Sequence, residues 1–402
     1  MKIVGIIAEY NPFHNGHQYH IEEALKITGA DAAIVVMSGD FVQRGAPAIM
    51  PKHLRAKMAL NGGASLVLEL PVPYATGSAE YFAYGAVSLL DQLGCVDAIC
   101  FGSECGNISE LAELSKLLAE EPDEYKAYLS SYLKTGHSFP LARQYAVHDY
   151  LKSETADELL AKPNNILGIE YLKALYRLNS NMQAYTIQRI SSNYHDQELQ
   201  ENFSSASAIR NELKLSSLEN LQAQVSLENF DILKENFGTC YPVYANDFSI
   251  LLKYKLMQEN KASLCDYADV SEDLANRILK RLDEYLNFEQ FCELLKTKEL
   301  TYSRISRALL HILLGIKKSA YTKPCYARVL GFHKKDSALL TQIKQNSELP
   351  LITKVSSFSD LTELDLDRYA SDLYESVITD KFQQAFQSEY TKQIVISQKK
   401  AE

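Results

Sequence analysis

Two histidines three residues apart, His14 and His17, stand in the stretch His14-Asn15-Gly16-His17 near the start of this chain. Before them, residues 2–9 carry Ile3, Val4, Ile6 and Ile7, an apolar run that reads as a buried strand. After them, residues 18–27 place Tyr19, Ile21, Ala24, Leu25 and Ile27 at helical spacing. The histidines and Gly16 therefore fall where a strand becomes a helix. Such a turn offers unpaired backbone N–H groups and the positive end of a helix dipole, which suits phosphate. Two imidazoles there can donate hydrogen bonds to charge developing on transferring phosphate oxygens, and Gly16 leaves room for a nucleotide close to the backbone. A purely structural turn with one capping histidine is the plainer alternative. Metal binding is disfavoured, because the spacing puts His14 and His17 on a loop and a helix start rather than in a ligand pattern.

The surrounding elements bear on the choice. Over residues 1–105, apolar runs at 32–37, 66–70 and 96–101 alternate with helical stretches at 52–60 and 81–93. Strands separated by helices predict an α/β fold with a doubly wound parallel sheet, whose ligands lie beyond the carboxyl ends of the strands. His14, Ser38, Gly39 and Gly102 all fall at such ends. Residues 107–160 look like a helical insertion. Pro163-Asn164-Asn165 then opens a helix, and 184–190 reads as another strand. Asn165 could bond a ribose or base, or simply cap its helix. Arg189 could bind phosphate, stack on adenine or form a surface salt bridge. The hydroxyl-rich Ser204-Ser205-Ala206-Ser207-Ala208-Ile209-Arg210 begins a further helix, where Ser205, Ser207 and backbone N–H groups can hold phosphate oxygens and Arg210 adds charge. A plain serine cap with a surface arginine is its alternative. Arg44, Lys52 and Arg55 follow the second strand, within reach of triphosphate, RNA or solvent. Asp40 and Glu104 are possible supports for a divalent ion.

The chain has 402 residues, 46% of them hydrophobic and 23% charged, which fits two or three globular domains. The expected division is a catalytic unit over 1–215, a boundary over 216–239 and a mainly helical unit over 240–402. Neither a membrane span nor a signal peptide is expected. Seven scattered cysteines, with Cys95, Cys100 and Cys105 five apart, suggest reduced thiols in a cytoplasmic protein. The net charge is −10, yet residues 296–335 hold ten Lys/Arg and one acid. A basic block in an acidic chain is an electrostatic footprint for a polyanion. On a helix over 302–318, Arg304, Arg307, His311 and Lys318 share one side beside an apolar stripe. With Lys317 and Arg328 they form a candidate RNA face, the alternative being a solvated basic surface.

Taken together, the early H-x-G-H and the late Ser204–Arg210 stretch resemble the nucleotidyltransferase superfamily, which pairs H-x-G-H with I-S-x-T-x-I-R. Ser204 stands in place of Ile and Ser207 in place of Thr, and Ser207 keeps the hydroxyl. The resemblance narrows over most of the chain. Gly5 to His17, Ser38 to Gly45, Glu69-Leu70-Pro71, Phe101 to Glu104, Pro163 to Gly168, Arg189 with Tyr194-His195-Asp196, residues 304–316 and Arg328 to Phe332 are similar to the bacterial tRNA(Met) cytidine acetate ligase family. Ser191-Ser192-Asn193 departs from the glycine-rich stretch expected there.

This resemblance implies a Rossmann-like nucleotidyltransferase sheet and a ligase using ATP, with Mg²⁺, and acetate. Acetyl-adenylate would form with release of pyrophosphate. The acetyl group would then pass to N4 of the wobble cytidine of elongator tRNA(Met), releasing AMP. It also implies an ATP site made of Ile7, Ala8, Glu9, Tyr10, Asn11, Pro12, Phe13, His14, Asn15, Gly16, His17, Gln18, Tyr19 and His20, with Gly102, Asn165 and Arg189. His14 and His17 are the expected catalytic pair. Two other readings remain open: transfer of AMP to a small phosphorylated metabolite, and a noncatalytic, ATP-regulated RNA-binding protein.

Overall fold

Residues 1–189, 204–215, 218–358 and 361–398 are described in the computed structural model. The Ser191-Ser192-Asn193 and Tyr194-His195-Asp196 stretches lie outside the described residues.

The strands are β1 (Ile3–Ala8), β2 (Ala32–Ser38), β3 (Phe41–Val42), β4 (Ala46–Pro47), β5 (Leu66–Leu70), β6 (Ala98–Ser103), β7 (Gln183–Gln188), β8 (Ala327–His333), β9 (Leu351–Ile352) and β10 (Val395–Ser397). The main sheet runs β10-β8-β5-β2-β1-β6-β7, with β9 beside β8. Its pairings are parallel except that between β5 and β8. β3 and β4 form a separate antiparallel ribbon.

Period-two alternation divides the strands between two cores. Ile34 and Val36 of β2 pack with the helices Ala79–Gln92, Ile108–Glu120 and Pro163–Leu178. Val35 and Met37 face the other way, with Ile21, Ala59, Ile209 and Leu233. Both faces are covered at the centre of the sheet, which is why β1 and, up to its terminal Ser38, β2 are apolar along their length. The expected insertion is present as the helices Ile108–Glu120, Asp123–Lys134, Phe139–Leu151 and Glu154–Leu160. A third core, built around Leu252, Leu274, Phe291, Leu309 and Tyr374, holds together helices from Ser249 onward and takes in Phe41 and Val72.

The expected two-domain division needs correction. β8, β9 and β10 come from the segment read as mainly helical, and β8 pairs with β5 within the main sheet. The last fifth of the chain thus completes the first unit. β1 lies between β2 and β6, so successive connections leave it in opposite directions. The crevice beyond its carboxyl end is where such sheets bind ligands.

Candidate active site

Three neighbouring strands deliver the predicted residues to one place. The turn after β1 carries residues 9–17, β6 carries Gly102, and Arg189 directly follows β7, its N–H donating to the Ser103 carbonyl at 2.9 Å. The helix Ala206–Lys214 closes the fourth side. Its start is set by Ser205, whose Oγ accepts from the Ala208 N–H at 3.1 Å. Arg210 reaches back from this helix, donating to the Asn11 carbonyl at 2.8 Å and to Ser207 Oγ at 3.0 Å. Between them lies a cleft of about 630 Å³.

The turn after β1 is held from several directions. Tyr10 has φ 48°, a left-handed backbone that a bulky residue keeps only when its surroundings impose it. Arg55, fully buried, grips the carbonyls of Glu9 at 2.7 Å, Ser38 and Met50 at 3.0 Å, and Gly39. Asn11 Oδ1 accepts the Ile49 N–H at 2.7 Å. The Tyr10 ring packs against Phe13 and His17 at centroid distances of 4.9 and 4.7 Å.

The two catalytic candidates cap their own helix, Asn15–Thr28. His14 Nδ1 accepts the Gly16 N–H at 3.1 Å, and His17 Nδ1 accepts the His14 N–H at 3.3 Å. An Nδ1 that accepts is unprotonated, so each neutral ring carries its proton on Nε2. The rings lie 3.8 Å apart and both line the cleft. Burial, then Arg189 and Arg210, push the His14 pKa down to about 3. Burial, then His14 and Arg189, hold His17 well below its ordinary value. Burial and Arg189 lower His20 to about 4. The site thus presents neutral N–H donors beside two guanidinium groups, an arrangement for phosphate oxygens.

Residues 1–389 match the HIGH Nucleotidyl Transferase family. A tRNA(Met) cytidine acetate ligase of Clostridium acetobutylicum is 46% identical over 382 residues, 91% of this chain and 94% of that protein. The chain belongs to the tRNA(Met) cytidine acetate ligase family. The ligase of Acetivibrio thermocellus is 41% identical over 414 residues, covering 98% of this chain and 100% of that one. The crystal structure of Thermotoga maritima TmcAL bound with alpha-thio ATP superposes with a TM-score of 0.92 at 33% identity, covering 99% of this chain and 100% of that chain.

Among the predicted ATP-site residues of this acetate ligase relative, Ile7, Ala8, Glu9, Tyr10, Asn11, His14, His17, His20, Gly102, Arg189, Ser207 and Arg210 line the cleft. Gly16 and Tyr19 line a small side pocket next to it. Gly102 lets Arg189 lie close, since a Cβ there would stand 3.3 Å from Arg189 Cγ. Others do not face the cleft. Pro12 is buried, and Phe13 packs into the core against Gly62. Asn15 donates to the Ala223 carbonyl and Gln18 to Glu22. Asn165 Oδ1 accepts the N–H groups of Glu104 and Cys105, so it shapes the loop after β6. Glu104 in return accepts the N–H groups of Asn164 and Asn165 at the start of the helix Pro163–Leu178.

Lys52 and Arg55 are corrected outright, being 1% and 0% exposed. Lys52 donates to Glu69 at 2.8 Å and pairs with Glu389 at 3.0 Å. Asp40 accepts the Lys52 N–H at 2.8 Å, so neither it nor Glu104 is a free carboxylate. Among the described residues no group of three or more His, Cys, Asp or Glu is arranged to hold a metal ion. The donor-rich cleft fits Mg²⁺ carried on a triphosphate, with the protein holding the phosphates.

The RNA-face expectation changes most. His311 is 0% exposed, set between the Ala268 and Thr76 carbonyls. Arg328 is 1% exposed on β8 and pairs with Glu389 at 3.0 Å. Neither can meet RNA. Arg307 pairs with Asp269 at 2.9 Å. The helix ends at Leu314, capped by Gly315 at φ 76°, so Lys317 and Lys318 lie beyond it, both exposed. Arg304 is partly exposed. Sequence reasoning missed Gln43, Tyr171, Lys214, Tyr244 and Glu289, which also line the cleft with Arg44. Only Gln43 lay in a quoted motif; the helical unit brings in Tyr244 and Glu289 through packing that no local pattern encodes.

Proposed function

We propose that this chain activates acetate with ATP as acetyl-adenylate, then transfers the acetyl group to N4 of the wobble cytidine of elongator tRNA(Met), forming N4-acetylcytidine and releasing pyrophosphate and AMP. The observation that carries the chemistry is the pair of neutral imidazoles whose Nδ1 atoms are occupied by backbone N–H groups. Their Nε2–H edges donate to phosphate oxygens as acetate attacks the α-phosphorus and pyrophosphate leaves. Because all three histidine pKa values are lowered, these donors stay neutral at physiological pH. Arg189 and Arg210 supply the positive charge. Mg²⁺ bound to the triphosphate would offset charge on the oxygens that these side chains do not reach. No covalent enzyme intermediate is required, since acetate is itself the nucleophile.

The choice of tRNA and base is supported by the named relatives over more than nine-tenths of the chain. A base must leave its stack to enter such a cleft, which an anticodon loop permits. Arg304, Lys317 and Lys318 on the helical unit offer phosphate contacts for the rest of the tRNA, Lys317 lying 3.8 Å from Asp266 and Lys318 donating to the Cys265 carbonyl. Among the described residues no helix is long and apolar enough to cross a membrane, and we place the reaction in the cytoplasm, where tRNA is.

The test is ATP–pyrophosphate exchange with and without acetate, followed by acetyl transfer to unmodified elongator tRNA(Met). Acetate-dependent exchange and labelled tRNA are expected. Nucleotidyl transfer to a phosphorylated metabolite without acetate dependence would overturn the reading, as would RNA binding with no turnover.

A further inference from the structure

Acyl transfer to an amine needs something that adenylation does not: a proton acceptor. The exocyclic N4 of cytosine presents N–H donors, and its lone pair is delocalised into the ring. It attacks well only as one of its protons is removed. Acceptors on the cleft wall include the neutral imidazole of His20, whose buried Nε2 has no hydrogen-bond partner among the described residues, and two carboxylates. His14 and His17 present N–H edges only, because their Nδ1 atoms are taken. Glu289 stands on the helical rim, where its Oε2 accepts from Asn246 at 2.8 Å.

Glu9 is different. It directly follows β1, at the floor of the cleft beside the histidine turn. Its Oε1 accepts the Gln43 N–H at 2.9 Å, and its carbonyl is held by Arg55. Its Oε2 has no hydrogen-bond partner among the described residues. A fixed carboxylate is poorly suited to touch a triphosphate, which it repels. It is well suited to an amino group, and carboxylates are the usual acceptors for cytosine N4.

We propose that Glu9 is the catalytic base of acetyl transfer, its Oε2 receiving a hydrogen bond and then a proton from cytosine N4. The proposal rests on the acetyl-transfer reading above. The N4 lone pair forms a bond to the acetyl carbonyl carbon. The bond from that carbon to the adenylate oxygen breaks, and its electron pair leaves on AMP. One N4–H proton passes to Glu9 Oε2 and from there to solvent, its bonding pair remaining on N4.

The experiment uses the full chain, acetate, ATP and an unmodified elongator tRNA(Met) transcript. In Glu9→Gln the amide oxygen still accepts the Gln43 N–H, so the loop is kept while the base is lost. Because Glu9 lines the same cleft as the ATP-site residues, acetate-dependent ATP–pyrophosphate exchange and tRNA affinity are measured beside transfer, and transfer is expected to fall further than either. Single-turnover acetyl transfer is expected to fall by about 10²–10⁴-fold. Glu9→Asp, which restores a carboxylate, should recover at least about tenfold of that loss. Equal loss of exchange and transfer in Glu9→Gln overturns the proposal, as does undiminished transfer or an aspartate variant no better than glutamine. Wild-type protein that acetylates no cytidine overturns both this proposal and the reading beneath it; wild-type transfer with an unaffected variant overturns this one alone.

Discussion

Replacing His14 with Asn separates the two consequences of a buried neutral imidazole. Asn is among the best helix caps, and its Oδ1 can take over the Gly16 N–H that His14 Nδ1 accepts at 3.1 Å. What it removes is the titrating ring and the Nε2–H donor. His14 is 8% exposed, and its pKa is pushed down to about 3 from an unfolded value of roughly 6.5. Above pH 6.5 neither state binds the proton, so the ring contributes nothing to pH dependence. As pH falls through 6.5, the unfolded chain takes up a proton that the folded site refuses. Stability is therefore lost continuously until about pH 3. Between pH 7 and pH 5 this amounts to about 2 kcal/mol from His14 alone. Urea unfolding of wild type and His14→Asn at both pH values isolates the term, since His17 and His20 are present in each. The variant should lose about 2 kcal/mol less than wild type over that interval. It should also lose about 10²–10³ in acetate-dependent exchange at pH 7.5, the usual cost of one preorganised donor. Acid sensitivity that is the same in both proteins, within about 0.5 kcal/mol, would refute the neutral, desolvated imidazole.

Lys52→Met leaves Glu69, Glu389 and Asp40 without their shared cation and should destabilise the protein by roughly 3–5 kcal/mol in urea unfolding; a loss under about 1 kcal/mol would show the network to be dispensable. Gly45→Ala meets φ 75° and a Cβ only 2.3 Å from the Arg307 backbone nitrogen; about 2 kcal/mol or more of destabilisation is expected by the same measurement. Arg304→Glu with Lys318→Glu should weaken tRNA binding and lower the salt dependence of its Kd by about one unit of slope per lost phosphate contact, with exchange unchanged. Deleting residues 321–402 removes β8 from the edge of β5 and Glu389 from Lys52, and should abolish cooperative thermal unfolding rather than leave a stable catalytic unit.

The β1–α turn was legible because its parts are local: an all-apolar strand, a capping residue and a helical pattern within 28 residues. The same holds for β2, β5 and β6. The basic block was misread because counting charges ignores where each one goes. Arg328 finds Glu389 61 residues away, and Arg307 finds Asp269 38 residues away. Such partners are invisible to spacing rules and decide whether a cation faces water. β8 was missed for the same reason, since its Arg328 and flanking Lys334 and Lys335 mask a strand whose Ala327, Val329 and Leu330 are fully buried.

These buried charges also explain how the second wall of the cleft is held in place. Apolar packing alone tolerates small slides, whereas an ion pair drawn out of register leaves a desolvated charge uncompensated. Lys52 joins Glu69 of β5 to Ser371 of the long helix Thr362–Phe382 and to Glu389 beyond it, and its own N–H is taken by Asp40 at the start of the loop that carries Gln43 and Arg44. Burial would lower the Lys52 pKa, but Glu389, Glu69 and Asp40 outweigh it and hold the ammonium charged. At the other end of that loop, Ser306 Oγ donates to the Gly45 carbonyl at 2.8 Å, fastening it to the helix Tyr302–Leu314. The loop that lines the cleft is thus pinned to both helices of the opposite unit, one of which carries Arg304. The Gln43 N–H of that same loop is the group that holds Glu9 Oε1. The helix that carries Arg304 and the carboxylate of the proposed base are therefore joined through one short segment, and Gly45→Ala should disturb acetyl transfer more than exchange.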